Sequence, residues 1–274
     1  MFKKVIKRIT SKKFALYVFL GFISAVITGN IVTYFLYDSA PYEIGNKYTI
    51  SKDNKTLYFR GDIDSHEFKR FTHFFHKNIN NFVVNSSGGD IKQAILIAEV
   101  LSKNTIKVIV DGVCGSSCSN YYFVSGKQRE IRKNSFLLYH GGLSDGTFTM
   151  IDTGSWPVPS SFMGLFSYWA MYKTSEEYQG FKNREKQLYK NGGVDLSIIK
   201  TSREKIQGGK YHFWSPSKAA LNDYGFDTTH FWYPANKKEK RDAIKYICEN
   251  KIDYAAARNT KKCEETFSQK FLIE

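Results

Sequence analysis

The chain has 274 residues, 42% hydrophobic and 16% aromatic, with 40 Lys and Arg against 26 Asp and Glu for a net charge of +14. So much apolar surface excludes a globally disordered chain, and the length allows one large domain or two small ones. Six of the basic residues crowd into residues 1–13 without an acid, and the remaining +8 is spread thinly; with no zinc knuckle, helix-turn-helix or aromatic-basic motif, this is a solvated surface and no nucleic-acid partner is expected.

The basic tail 1–13 is followed by residues 14–37, which carry no charge over 24 positions. A helix crosses the hydrocarbon of a bilayer in about 20 apolar residues. A cleaved signal peptide is the alternative, but its apolar region runs only about 7–15 residues to a small-x-small site. Here the run is longer, and Asp38-Ser39-Ala40 is a poor site. An uncleaved transmembrane helix is therefore expected. The basic flank before it, against Asp38 and Glu43 after it, places the N-terminus in the cytoplasm. In a bacterium this makes a single-pass inner-membrane protein whose main domain is periplasmic or extracellular.

Residues 38–55 read as a linker with an edge strand. A strand at 56–60 then precedes an amphipathic helix at 65–77, a strand at 81–84, a helix at 91–103, a strand at 107–110, a helix at 117–125 and a strand at 136–139. Strands alternating with helices imply βαβ units, a mainly parallel sheet and right-handed crossovers. Residues 141–160 are rich in Gly, Ser, Thr and Asp and read as a loop or insert; 161–190 are aromatic and helical. A short helix is expected at 215–224, with Ser215 as N-cap and Pro216 at the first helical position. A final strand at 226–233 closes an α/β domain spanning 56–235, and 236–274 form a charged helical tail. Four cysteines suit an oxidising compartment and suggest two bridges, Cys114–Cys118 and Cys248–Cys263, the second stapling two helices of the tail. Four buried thiols are the alternative. A zinc site is not expected, because neither pair has a further ligand at the needed spacing.

Three segments stand at the carboxyl ends of expected strands, where open α/β sheets gather ligands. They are Asn85-Ser-Ser-Gly-Gly-Asp90, the small-residue turn Gly112-Val-Cys-Gly-Ser116, and Tyr139-His140-Gly-Gly142. A serine nucleophile needs a base within hydrogen-bond reach and donors where the oxyanion forms. Ser116 supplies the hydroxyl and His140 the imidazole. Glycines at 88 and 89 permit positive φ and close approach of substrate backbone.

In order and spacing these segments resemble the proteolytic subunit of Clp protease, within the wider crotonase-type superfamily, and more closely its secreted or membrane-anchored bacterial relatives with Cys-x-Ser-x-Cys. That family shows Asn-Ser-Pro-Gly-Gly, then Gly-x-x-x-Ser, then a His about two dozen residues on; here His140 follows Ser116 by 24 residues. Ser215-Pro-Ser-Lys-Ala219 and Tyr224-Gly225 match its closing helix. The resemblance covers roughly residues 57–227. It implies an α/β fold built as a ββα superhelix with a mainly parallel sheet, here preceded by the transmembrane helix. It further implies Ser116 as nucleophile, His140 as general base, an oxyanion hole from the N–H groups of Gly89 and Ser117, a polypeptide substrate and no cofactor or metal. Such subunits form rings, which implies a homo-oligomer with contacts in the aromatic 141–180 region.

Two positions depart from the pattern. Ser87 replaces the usual proline, and Tyr211 stands where the family places its third catalytic acid. Asp195 and Asp152 are alternative acids by chain position, and a Ser-Lys arrangement is a further alternative. The expected function is a membrane-anchored extracytoplasmic serine peptidase. The competing reading is a catalytically inactive Clp-like binding or scaffold protein; a crotonase-type acyl-CoA enzyme fits less well, because that chemistry needs no Ser–His pair.

Overall fold

Apolar runs of strand length, punctuated by helices, set the frame of the computed structural model, which describes residues 47–144, 175–207, 209–250 and 260–274. The basic tail, the apolar run 14–37 and residues 145–174, Asp152 among them, lie outside. Strand β1 (Tyr48–Ile50) pairs antiparallel with β2 (Thr56–Arg60), which pairs in parallel with β3 (Asn81–Ser86), and β3 in turn with β4 (Lys107–Gly115). Helix α1 (Glu67–Phe74) connects β2 to β3, and α2 (Ile91–Lys103) connects β3 to β4. These are the two expected βαβ units. The β3 run from Phe82 to Ser86 is buried throughout, as in parallel strands covered on both faces. Helix α2 turns Ala94, Ile95, Ile97, Ala98 and Leu101 inward, and its N-cap Asp90 accepts a hydrogen bond from the Gln93 N–H.

Strand β4 organises the rest of the sheet by changing partners along its length. Its first half pairs with β5 (Gln128–Ile131) and its second half with β6 (Phe136–Leu138), both in parallel. The changeover falls at Gly112, with φ +128°. The Gly112 N–H donates to Ser135 Oγ, and the Asn85 carboxamide oxygen accepts from the Val113 N–H at 3.0 Å. A Cβ at residue 112 would meet that oxygen at 2.7 Å, so only glycine fits the bend. The sheet is thus mixed α/β and mostly parallel.

After the sheet come α3 (Glu176–Gly192), α4 (Ser197–Ile206), β7 (Phe213–Ser215), α5 (Lys218–Asp223), α6 (Lys237–Asn250), α7 (Thr260–Lys270) and β8 (Phe271–Ile273). Helices α6 and α7 are stapled by the Cys248–Cys263 disulfide. Their apolar residues Ala243, Ile244, Ile247 and Phe267 form a second core with Val113, Phe136 and Leu138. The tail thus covers the β4–β6 end of the sheet and belongs to the same compact unit, 44–274. No helix among the described residues is long and apolar enough to cross a membrane.

Several expectations are corrected. Helix α1 is shorter than 65–77, because the chain turns extended at Phe75. The N-cap of α5 is Ser217, whose hydroxyl accepts from the Ala220 N–H, not Ser215. Ser215 is committed instead to the β7–β8 ladder, with its carbonyl accepting from the Glu274 N–H. Residues 226–233 form no strand beyond a single bridge between Phe231 and Ile131. Strands β5, β7 and β8 and helix α4 were not expected.

Candidate active site

The turn after β4 carries the serine. Ser116 has φ +51°, a left-handed conformation that is costly for a residue with a Cβ. Its surroundings hold it there. The Ser116 N–H donates to the Leu138 carbonyl, and the Ser116 carbonyl accepts from the Asn120 N–H, both at 2.9 Å. The chain then enters a π-helix, Cys118–Phe123, whose six residues are all buried. Such wide turns are uncommon and cluster at functional sites. Cys114, on β4, and Cys118, on the π-helix, are joined by a disulfide with Cα atoms 5.2 Å apart. The bridge spans the serine from strand to helix.

His140 follows β6. Tyr139 is locked by a pair of backbone hydrogen bonds to Trp214, at 2.7 and 2.8 Å, and the Gly141 carbonyl accepts from the Asn120 carboxamide at 2.7 Å. The imidazole packs edge-on against the Phe213 ring. Held from both sides, His140 places Nε2 at 2.6 Å from Ser116 Oγ. Both side chains are partly exposed, so the pair is reachable from solvent.

The third segment brings the donors. Gly88 and Gly89 have φ +101° and +138°. The Gly88 carbonyl accepts from the Ile63 N–H and the Asp90 N–H donates to the Ile63 carbonyl, both at 2.8 Å. In an extended segment alternate residues face opposite ways, so the Gly89 N–H and carbonyl point away from Ile63. That other side is where Ser117 lies, and its hydroxyl donates to the Gly89 carbonyl at 2.7 Å. A Cβ on Gly88 would stand 2.7 Å from Ser116 Cβ and 2.8 Å from the Ser117 nitrogen. The glycine turn is thus in direct contact with the serine turn. Among the described residues neither the Gly89 nor the Ser117 N–H is engaged in a hydrogen bond. Ser87 ties the same turn down by donating to the Asp62 carboxylate.

The structure therefore brings Ser116, His140, Gly89 and Ser117 together, with Cys114 and Cys118 bracketing them. Asp195 and Tyr211 have other partners. Asp195 is exposed, and its carboxylate accepts from the Ser197 N–H at the start of α4. Tyr211 lines a cavity of about 330 Å³ with Lys237, Lys240 and Arg241, and the Lys210 ammonium sits over its ring.

One residue beside the site was missed. Glu185 is completely buried and accepts from the Tyr121 hydroxyl at 2.9 Å, from the Leu143 N–H at 3.2 Å and from the Ser144 hydroxyl. Burial pushes its carboxyl above the ordinary value, against the pull of these donors. The signal was present in the sequence: Tyr178, Glu185, Leu188 and Tyr189 share the buried stripe of α3, so the acid lies on an apolar face. No protein-family model matches the chain, and no curated protein matches it either.

Proposed function

We propose that the chain is a serine hydrolase of the Clp-protease and crotonase-like type, acting as a peptidase on polypeptides outside the cytoplasmic membrane and anchored there by residues 14–37. One observation carries this reading: the 2.6 Å contact between Ser116 Oγ and His140 Nε2, made beside the unengaged N–H groups of Gly89 and Ser117. Neutral His140 accepts the Ser116 proton as Oγ attacks the scissile carbonyl carbon. The oxygen that becomes negative receives hydrogen bonds from the Gly89 and Ser117 N–H groups, each such donor being worth about 3 kcal/mol in the transition state. The imidazolium then protonates the leaving amine, and water, deprotonated by His140, releases the acyl group from Ser116. No step calls for a metal or cofactor.

The ββα superhelix is the finer fold this reading implies, and the change of partners along β4 supports it. Association into a homo-oligomer belongs to the same proposal. A specific observation favours the inactive-scaffold alternative: Tyr211, at the position of the family's acid, lies in a basic cavity. Removing the carboxylate from a full triad costs about four orders of magnitude in rate. Turnover therefore separates the readings. Hydrolysis of a panel of fluorogenic peptides and esters by the wild type, abolished in Ser116→Ala and cut at least about a hundredfold in His140→Ala, supports the hydrolase. Equal turnover in all three proteins overturns it.

A further inference from the structure

We propose that Glu185 is a positioning residue that holds the His140 loop and the Ser116 helix in mutual register, and so sets the distance between base and nucleophile. The idea deepens the hydrolase reading and rests on it. Isolated buried carboxylates are costly, and apolar replacements of similar volume are often as stable or more so. A completely buried acid calls for a task, and the donors of Glu185 point to one. Tyr121 belongs to the π-helix that starts two residues after Ser116, and it reaches Glu185 Oε1 at 2.9 Å. Leu143 and Ser144 lie three and four residues after His140, and they donate to Oε1 and Oε2 respectively. One carboxylate thus joins the π-helix that directly follows the Ser116 turn to the loop bearing the imidazole.

The neighbouring contacts point the same way. Tyr178, on the same face of α3, donates its hydroxyl to the Leu143 carbonyl at 3.0 Å. Asn120 closes the other side through the Gly141 carbonyl. A Cβ on Gly142 would come within 3.0 Å of Glu185 Oε1, so the loop is drawn tight against the acid. Helix α3 acts as a splint, and Glu185 is where it grips both parts. Without the carboxylate, the loop after Gly141 loses acceptors for one backbone N–H and one hydroxyl, and it is free to shift relative to the π-helix. A shift of about 1 Å between reacting groups costs up to about a hundredfold in rate.

The test uses the full chain. Glu185→Ala is expected to slow acylation of Ser116 by a fluorophosphonate by about tenfold or more, and to lower kcat for an ester substrate with KM unchanged. Glu185→Gln, which keeps one carbonyl acceptor, is expected to recover most of the loss. A folded Glu185→Ala protein reacting at the wild-type rate overturns the proposal, as does a loss carried entirely by KM. If Glu185→Ala does not fold, Tyr121→Phe and Ser144→Ala decide: slowing in either supports the proposal, and wild-type rates in both overturn it. If the wild type neither acylates nor turns over, the hydrolase reading fails separately. The positioning claim is then read from the ¹⁵N resonance of the His140 imidazole. Its wild-type shift relative to Ser116→Ala is expected to vanish in Glu185→Ala, and its persistence there overturns the proposal.

Discussion

Gly88→Ala perturbs the candidate active site while leaving the identities of Ser116 and His140 unchanged. A Cβ at this position would lie 2.5 Å from the Gly115 carbonyl oxygen, 2.7 Å from Ser116 Cβ and 2.8 Å from the Ser117 nitrogen. Ordinary van der Waals contact begins at 3.4 Å, so the two turns must separate by roughly 0.6–0.9 Å, since packed atoms tolerate little overlap. Residue 88 also has φ +101°, which costs an alanine about 1–3 kcal/mol. Because the shift falls between the Gly89 donor and the serine, rate should suffer more than fold. At about 2–4 °C per kcal/mol, the melting temperature is expected to fall by roughly 2–12 °C. Acylation of Ser116 is expected to fall by about a hundredfold, as for a displacement of about 1 Å. Stopped-time fluorophosphonate labelling beside a thermal melt measures both. A Gly88→Ala protein that melts lower but labels at the wild-type rate refutes the claim that the glycine turn forms part of the catalytic geometry.

Three further outcomes follow from the same structure. Removing the tail staple with Cys248→Ala and Cys263→Ala is expected to cost about 3 kcal/mol, the entropy scale of a loop of about 15 residues; chemical denaturation reads the loss, and Ser116 labelling should stay at the wild-type rate. The Cys114→Ala and Cys118→Ala pair, by contrast, frees both ends of the serine turn, and labelling should slow while the protein remains folded by circular dichroism. The third outcome is a pH effect at Asp64. Burial works to raise its carboxyl, but hydrogen bonds from Arg70, Lys47 and the His66 N–H prevail and hold it at about 2, against 3.8 for a free aspartate. A depressed folded-state value gives stability that is full above about pH 4 and lost as pH falls through about 2. Asp64→Asn should therefore melt below the wild type at neutral pH, with the two curves converging near pH 2. A difference that persists at pH 2 contradicts the ion-pair account.

The parts of the molecule legible in the sequence are those where local chemistry and tertiary structure agree. Helix α2 is legible to its end residues from its apolar spacing alone, and in the structure the Asp90 cap and the buried face fall in with that spacing. The meeting of Ser116 and His140 was legible because parallel strands deliver their carboxyl ends to one edge, and β4 and β6 are neighbours there. What stayed hidden depends on distant partners. The stretch around Gly112 looks like the end of a strand, yet the strand continues through it, because Asn85 and Ser135 satisfy the bent backbone. Strand β8 exists only because β7, more than fifty residues earlier, offers it an edge; three residues alone carry no period. Glu185 sits in a helix crowded with Lys, Arg and Glu, where an acid reads as solvated, and only its place on the apolar stripe sets it apart.

The most direct test of the account is the site of covalent reaction. The full chain is treated with a fluorophosphonate, and the adduct is mapped by peptide mass spectrometry in the wild type, Ser116→Ala and His140→Ala. A single adduct on Ser116 is expected, absent from Ser116→Ala and strongly reduced in His140→Ala. Folded wild-type protein that carries no adduct, or carries it equally in all three, contradicts the pairing of Ser116 and His140 as nucleophile and base.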